Sequence, residues 1–257
     1  MNPYVGCGHN CAYCYARFIK RFTKHTEPWG SFVDARINIV KVLAKQLKNQ
    51  KYQNGQIYIG TVTDPYQPAE EGYQLTRGVL EVLKNHGAAV SILTKSDLLL
   101  RDLDLLKQFK KIDINFTINT LDEKWQSLVE PDSPTVRERL IAAGKLTALG
   151  IPVIAMMGPY FPVFTDPEKL FSEFKKAGIK EVFTESFNTT GGNFVEVEEI
   201  LKKHYPHLLP EIRGILFDRK NFYDFYSGQE EVVRQMSKKY KLPATIYFGL
   251  GHAAKFK

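Results

Sequence analysis

Between residues 55 and 186 the chain alternates short β-rich runs with amphipathic helices, and this alternation limits the fold more than any other feature. Strands read at 55–63, 88–96, 112–120, 151–158 and 180–186, where Val, Ile, Thr, Tyr and Phe gather between turn residues. Helices read at 75–87, 98–111, 133–150 and 166–178, with Gly87 as a stop and Pro134 in a first turn. Strand, helix and strand in strict succession imply parallel pairing through right-handed crossovers, hence an α/β barrel or a doubly wound sheet. No Gly-x-Gly-x-x-Gly follows any strand, which weakens the dinucleotide-binding version. A sixth strand is expected just before Cys7. Beyond residue 190 the pattern is looser: helices at 192–208 and 222–241, a closing strand at 244–249, and an aromatic group (Phe222, Tyr223, Phe225, Tyr226) that reads as core.

Polar residues gather at the C-terminal ends of the strands: Thr63 with Asp64, Lys95 with Ser96, Asn119 with Thr120. In a barrel that edge receives the ligand. Ser96 reads better as a helix cap, since a serine there can accept from the first turn. Asp64 and Lys95 have no such explanation and are kept as site residues.

The 257 residues carry a net charge of +7, unevenly spread. Residues 1–54 hold nine Lys or Arg against two acids, residues 55–200 hold 15 against 21, and residues 201–257 hold 11 against 5. Two basic ends brought together would suit a polyanion such as DNA; the bland alternative is solvated lysines on helix surfaces, such as Lys41, Lys45 and Lys48. No window of 18 apolar residues and no signal-like start occur, so no membrane partner and a cytoplasmic location are expected.

All three cysteines, Cys7, Cys11 and Cys14, fall within eight residues at spacing Cys-x3-Cys-x2-Cys, on a glycine-containing loop that leads into a helix. An odd and local count excludes a disulfide framework. Three adjacent thiolates converge on one metal centre. That centre is zinc completed by His9, although zinc sites usually take two separated ligand pairs, or an iron-sulfur cubane with one iron left open to an exogenous ligand.

The segments NPYVGCGHNCAYCYAR, TVTDPYQPAE, LTKSDLLLRDLDLL and EPDSPTVRERL resemble the radical S-adenosylmethionine (SAM) enzymes, in the branch related to spore photolyase. The resemblance runs over roughly residues 2–190. It implies an α/β fold, a partial (β/α)6 TIM-type barrel over residues 1–190, with residues 191–257 as a helical and strand extension packed on it rather than an independent domain. It implies that Cys7, Cys11 and Cys14 ligate a [4Fe-4S] cluster, that SAM chelates the fourth iron, and that a reductant such as flavodoxin or ferredoxin supplies the electron. By the same resemblance Lys95 meets the SAM carboxylate, Thr63 and Asp64 its ammonium group and ribose hydroxyls, and Thr117 the ribose. Tyr13 packs near the adenine, and the backbone around Ala155 and Met156 reads its edge. The Glu130, Arg137 and Arg139 stretch is a hallmark of the branch, whose arginines either contact a phosphate or form surface ion pairs with Glu138 and its neighbours.

Two departures bear on function. The branch returns a hydrogen atom from a thiol near the Ser/Thr-Asp pair, where this chain has Thr61, and one cluster consumes all three cysteines. No thiol donor and no auxiliary cluster remain. The chain also begins immediately before the motif, where relatives carry residues that complete the first strand, so a shortened first strand is expected. The leading expectation is a radical SAM enzyme acting on a large or anionic substrate, plausibly DNA in photolyase-like repair. The alternatives are a radical SAM enzyme of a small molecule or peptide, and a non-catalytic zinc-bearing protein whose first segment (Arg17, Phe18, Arg21, Phe22, Trp29) grips nucleic acid.

Overall fold

The computed structural model describes residues 1–49, 55–189 and 192–249. Six strands, β3 (Gln56–Ile59), β4 (Ala89–Thr94), β5 (Ile112–Thr117), β6 (Val153–Tyr160), β7 (Glu181–Ser186) and β8 (Ala244–Tyr247), form one parallel sheet in sequential order. Ile59 lies opposite Ile92, Thr94 opposite Phe116, Thr117 opposite Met156, and Met156 opposite Phe183. Sequential order with all strands parallel is a barrel wall, here left open. The period-2 alternation divides that wall: Val90, Ile92, Ile114, Phe116, Val153, Ala155 and Val182 join the apolar core beneath the helices. Ser91, Leu93, Asp113, Asn115, Ile154, Met156, Glu181 and Phe183 line the concave side.

The two further strands, β1 (Tyr4–Gly6) and β2 (Val33–Ala35), pair antiparallel with each other outside the main sheet. The strand expected before Cys7 is therefore real but misassigned. Only Met1 runs beside β3, its ammonium bonding the Tyr58 carbonyl and its carbonyl accepting from Gly60 N at 3.1 Å. The sixth strand of the wall is β8, drawn from the segment beyond residue 190 and paired with β7.

The helices of the wall are α1 (Ile39–Gln46), α2 (Ala69–Tyr73), α3 (Leu75–Leu83), α4 (Leu103–Leu106), α5 (Glu123–Val129), α6 (Val136–Ala148) and α7 (Pro167–Lys176); α8 (Phe194–His204), α9 (Leu209–Phe217) and α10 (Arg219–Tyr240) follow. α6 opens later than the position of Pro134 suggests. Thr135 caps it in a reciprocal capping box with Glu138, which leaves the Pro134 carbonyl outside the helix. The helix read over 98–111 is split into a 3-10 turn, Asp97–Asp102, and α4, and Ser96 caps the turn by accepting from Leu98 N at 3.2 Å. Phe222 and Tyr226 of α10 are core residues as expected, whereas Tyr223 is exposed. Among the described residues no helix is long and apolar enough to cross a membrane.

A candidate metal and cofactor site

The cysteine loop leaves β1 through Gly6, whose φ of 81° and whose would-be Cβ at 2.3 Å from the Phe32 carbonyl exclude any side chain. Four contacts fix the loop to the rest of the wall. Gly8 N donates to Gln67 Oε1 at 2.7 Å, and Ala12 N to the Val129 carbonyl at 2.8 Å. Arg17 donates to the Cys11 carbonyl at 3.0 Å while its guanidinium grips Glu196 of α8. His9 Nδ1 stands 3.3 Å from Asp64 Oδ2.

Cys7, Cys11 and Cys14 are unpaired thiols, two buried and one half-buried, and all face one pocket with His9, Trp29, Thr63, Asp64, Lys95 and Thr117. Yet among the described residues no three of His, Cys, Asp or Glu form a group able to hold a single metal ion. Three thiols lining one pocket can take three corners of a cluster. Burial first, then the charges of Asp64 and Cys14, pushes the Cys7 thiol up to about 12. Burial likewise raises Cys11 and Cys14. A metal centre bound by these sulfurs would displace their protons.

Cys7, Cys11, Cys14, Thr63, Asp64, Lys95 and Thr117 line this pocket, and the adjoining cleft adds Tyr13, Met156, Gly158, Glu185, Phe187 and Asn193. Their surroundings differ. Lys95 is half-buried: burial opposes its charge, but the charge Cys11 carries as a thiolate and that of Glu130 outweigh this and hold its ammonium above the usual range, and Nζ sits 5.6 Å over the Tyr13 ring. Met156 faces the cleft, whereas Ala155 is packed into the core on the helix side. Thr63 is engaged within the protein, donating to the Gly6 carbonyl at 2.5 Å and accepting from Gln67 Nε2 at 2.9 Å.

Asp64 is engaged more fully still. It accepts from Thr94 Oγ1 at 2.6 Å, Lys95 N at 2.7 Å and Tyr66 N at 2.9 Å, in addition to its contact with His9. Burial works against its charge, but His9 and these donors prevail and hold the carboxyl down to about 2. Asp64 thus joins the cysteine loop to the ends of β3 and β4. At the neighbouring strand end, Thr120 and Asn119 donate to the Phe164 and Pro159 carbonyls and so serve the loops.

Glu130 and Arg139 form a buried ion pair beneath the cleft. Glu130 also accepts from the Tyr13 hydroxyl. Arg139 donates to the Thr117 carbonyl at 3.0 Å and to the Pro134 carbonyl at 2.7 and 3.0 Å. Neither phosphate contact nor a surface pair describes Arg139; Arg137 alone is on the exposed face of α6. The other two motifs meet in a second buried ionic node. There Glu70 and Asp102 share Arg101, Arg77 bonds Asp102 at 2.9 Å, and the hydroxyls of Tyr4 and Tyr66 donate to Glu70 and Asp102. This node seats β1, and with it the cysteine loop, against the wall.

Two site residues escaped the sequence. Trp29, read as a surface aromatic, is only 5% exposed and lines the cysteine pocket. Asn193, 2% exposed, donates to the Tyr13 and Asn188 carbonyls, while its Oδ1 has no hydrogen-bond partner among the described residues and lies beside the cleft. No spacing rule could have found either one, because both reach the loop from distant segments.

Comparison with known proteins agrees with this geometry. A family model described as the Radical SAM superfamily matches residues 1–174. An uncharacterised protein of Methanocaldococcus jannaschii is 34% identical over 239 residues, 93% of this chain and 86% of that one. An uncharacterised protein of Acidianus two-tailed virus is 31% identical over 216 residues, 78% and 71% of the two chains. A spore photoproduct lyase mutant with bound AdoMet and dinucleoside spore photoproduct superposes with a TM-score of 0.69 at 15% identity, covering 95% of this chain and 74% of that one. Streptococcus suis SuiB bound to its precursor peptide gives 0.56 at 15% identity, with 82% and 45% covered.

Proposed function

The chain belongs to the radical SAM superfamily, and from that premise we propose that it is an enzyme of nucleic acid, carrying out a radical reaction on a base or sugar of a bound strand. The superfamily's cofactors are a [4Fe-4S] cluster and SAM. Bound together they would supply one-electron radical chemistry, with the electron coming from a flavodoxin- or ferredoxin-like reductant.

The residues of the chain do the holding and shielding. Cys7, Cys11 and Cys14 take three irons. Lys95, half-buried beside the loop, takes the SAM carboxylate, and Thr117 and Tyr13 border the space for ribose and adenine. Thr63 and Asp64 act on SAM through the loop they fix, because their own hydrogen bonds are already made within the protein. Glu130 and Arg139 keep Tyr13 and the end of β5 in register from below.

The observation that carries the nucleic-acid reading is the 3-10 helix Tyr15–Phe22, which starts directly after Cys14. Its outer end exposes Arg21 and Phe22, the latter 79% open, with Lys24 exposed beyond it. Cation and aromatic ring side by side at the end of the helix that leaves the cysteine loop suit a phosphate and its base. Arg17 and Trp29 do not belong to this surface, since one is held by Glu196 and the other is buried. The basic C-terminal segment adds little: Lys202, Arg213, Lys220, Arg234 and Lys239 are paired with acids of the helices around them. The concave wall carries Asp113 and Glu181, whose carboxylates repel phosphate, together with Ser91 and Asn115, which both donate to Asp113. Lacking any thiol beyond the cluster ligands, the chain completes its reaction without the cysteine hydrogen donor of spore photolyase.

The test is binding of labelled DNA to the reconstituted protein over a salt series. Changing Lys20, Arg21 and Lys24 together to Gln is expected to weaken binding and to flatten the logarithmic salt slope by about 2 to 3. Salt-independent or absent binding refutes the reading, and a substrate peptide or small molecule that exchanges deuterium with 5'-deoxyadenosine would replace it.

A further inference from the structure

We propose that Trp29 donates its indole N–H to a sulfur of the cluster site and thereby sets how readily the cluster is reduced. The indole is buried against Cys7, Ala16 and Phe32, with Cys14, Ile19 and Val62 packed around the same group. Its orientation is fixed by edge-on contact with Phe32, centroids 5.9 Å apart at 84°, and Phe32 is itself stacked on His25 at 4.0 Å. Nε1 is fully covered, and no acceptor among the described residues reaches it.

A buried donor left unmade costs roughly 1–3 kcal/mol, so its position calls for a partner. Cys7 and Cys14 pack in the same buried group as the indole, and their sulfurs are acceptors within it. Both face the pocket that Trp29 also lines. A thiol is a weak acceptor, whereas a metal-bound thiolate or the sulfide beside it is a strong one, so the bond belongs to the loaded site. Hydrogen bonds to sulfur spread the negative charge that reduction adds, and they raise the potential of an iron-sulfur centre. Such a donor would ease electron entry into a site already crowded by Asp64 and Glu130.

Trp29→Phe keeps the ring and its packing while removing the N–H. After anaerobic reconstitution, iron content is measured first, which separates failure to form the cluster from failure of this proposal. An EPR-monitored redox titration of the loaded variant is expected to show a midpoint more negative than that of the unchanged protein. A tenfold lower ratio of reduced to oxidised cluster at fixed potential corresponds to 59 mV for a one-electron couple. The unchanged protein, labelled with 15N in its two tryptophan indoles and reduced, is expected to give a nitrogen coupling to the cluster spin that Trp29→Phe abolishes. An unshifted midpoint at full iron content overturns the proposal, as does absence of the coupling. The labelled protein decides the matter even where the variant takes up no iron.

Discussion

Replacing Glu130 by Gln removes one charge from the most enclosed ionic contact among the described residues. Glu130 is 1% exposed and Arg139 wholly buried. Gln can still accept from Tyr13, but the guanidinium loses its counter-charge and cannot reach water. Breaking one side of such a pair costs roughly 3–5 kcal/mol, and at 2–4 °C per kcal/mol for a chain near this size the midpoint falls by roughly 6–20 °C. The loss has a pH signature. Burial opposes the Glu130 charge, yet Arg139 and Lys95 outweigh it and hold the carboxyl below the usual range. Its contribution is therefore complete above the ordinary carboxylate pKa and is lost as pH falls through the folded value, so unchanged protein and variant converge in acid. Urea unfolding of the cluster-free protein between pH 7 and pH 3 measures this. The double variant with Arg139→Met should lose less than the two single losses combined, because each single change strands the other partner. A cost under 1 kcal/mol, simple additivity, or a gap that persists unchanged into acid would refute the reasoning.

Three further outcomes follow from the same geometry. Asp64→Asn sets an amide N–H₂ against the backbone N–H of Lys95 or the Nδ1 side of His9, and loses a charge-assisted bond worth roughly 1.5–3 kcal/mol; iron per chain after reconstitution should fall together with stability. Lys95→Met should weaken SAM binding about 10- to 150-fold, the equivalent of roughly 1.5–3 kcal/mol, while leaving methylthioadenosine, which lacks the amino-acid carboxylate, unaffected in equilibrium dialysis. Since burial raises all three cysteine thiols, cluster assembly must release their protons, and stopped-flow uptake of iron and sulfide should run faster at pH 8.5 than at pH 6.5; equal rates would mean that the thiols ionise without the metal.

The parallel wall was legible because crossover strands carry their evidence locally. Residues 112–120 and 180–186, read from apolar runs and turn residues, contain β5 and β7. β1 was not legible in its true partnership: three residues pair antiparallel with Val33–Ala35, about thirty positions away, and nothing periodic announces the match. β8 was visible as a strand, but its place beside β7 depends on the path of α8 to α10. The same division holds at the site. The cysteines declared themselves because their chemistry needs them adjacent. Glu130 and Arg139 stood out as a motif, but their meaning came from burial: the turn between α5 and α6 folds both beneath Tyr13 and Thr117, whereas residues nine apart in a loop and helix look solvent-facing on paper. Asp64 was expected to face a ligand; it lines the pocket, and what the sequence did not show is that its oxygens also accept from Thr94, Lys95 and Tyr66.

The central claim, that Cys7, Cys11 and Cys14 hold a cluster at which SAM is cleaved, is tested most directly by reducing the anaerobically reconstituted protein in the presence of SAM and measuring 5'-deoxyadenosine. A brown protein with about four irons per chain, in keeping with a cubane, that forms 5'-deoxyadenosine, and a colourless triple Cys→Ala variant that forms none, are the predicted results. A colourless protein holding one zinc ion and leaving SAM intact would contradict the account.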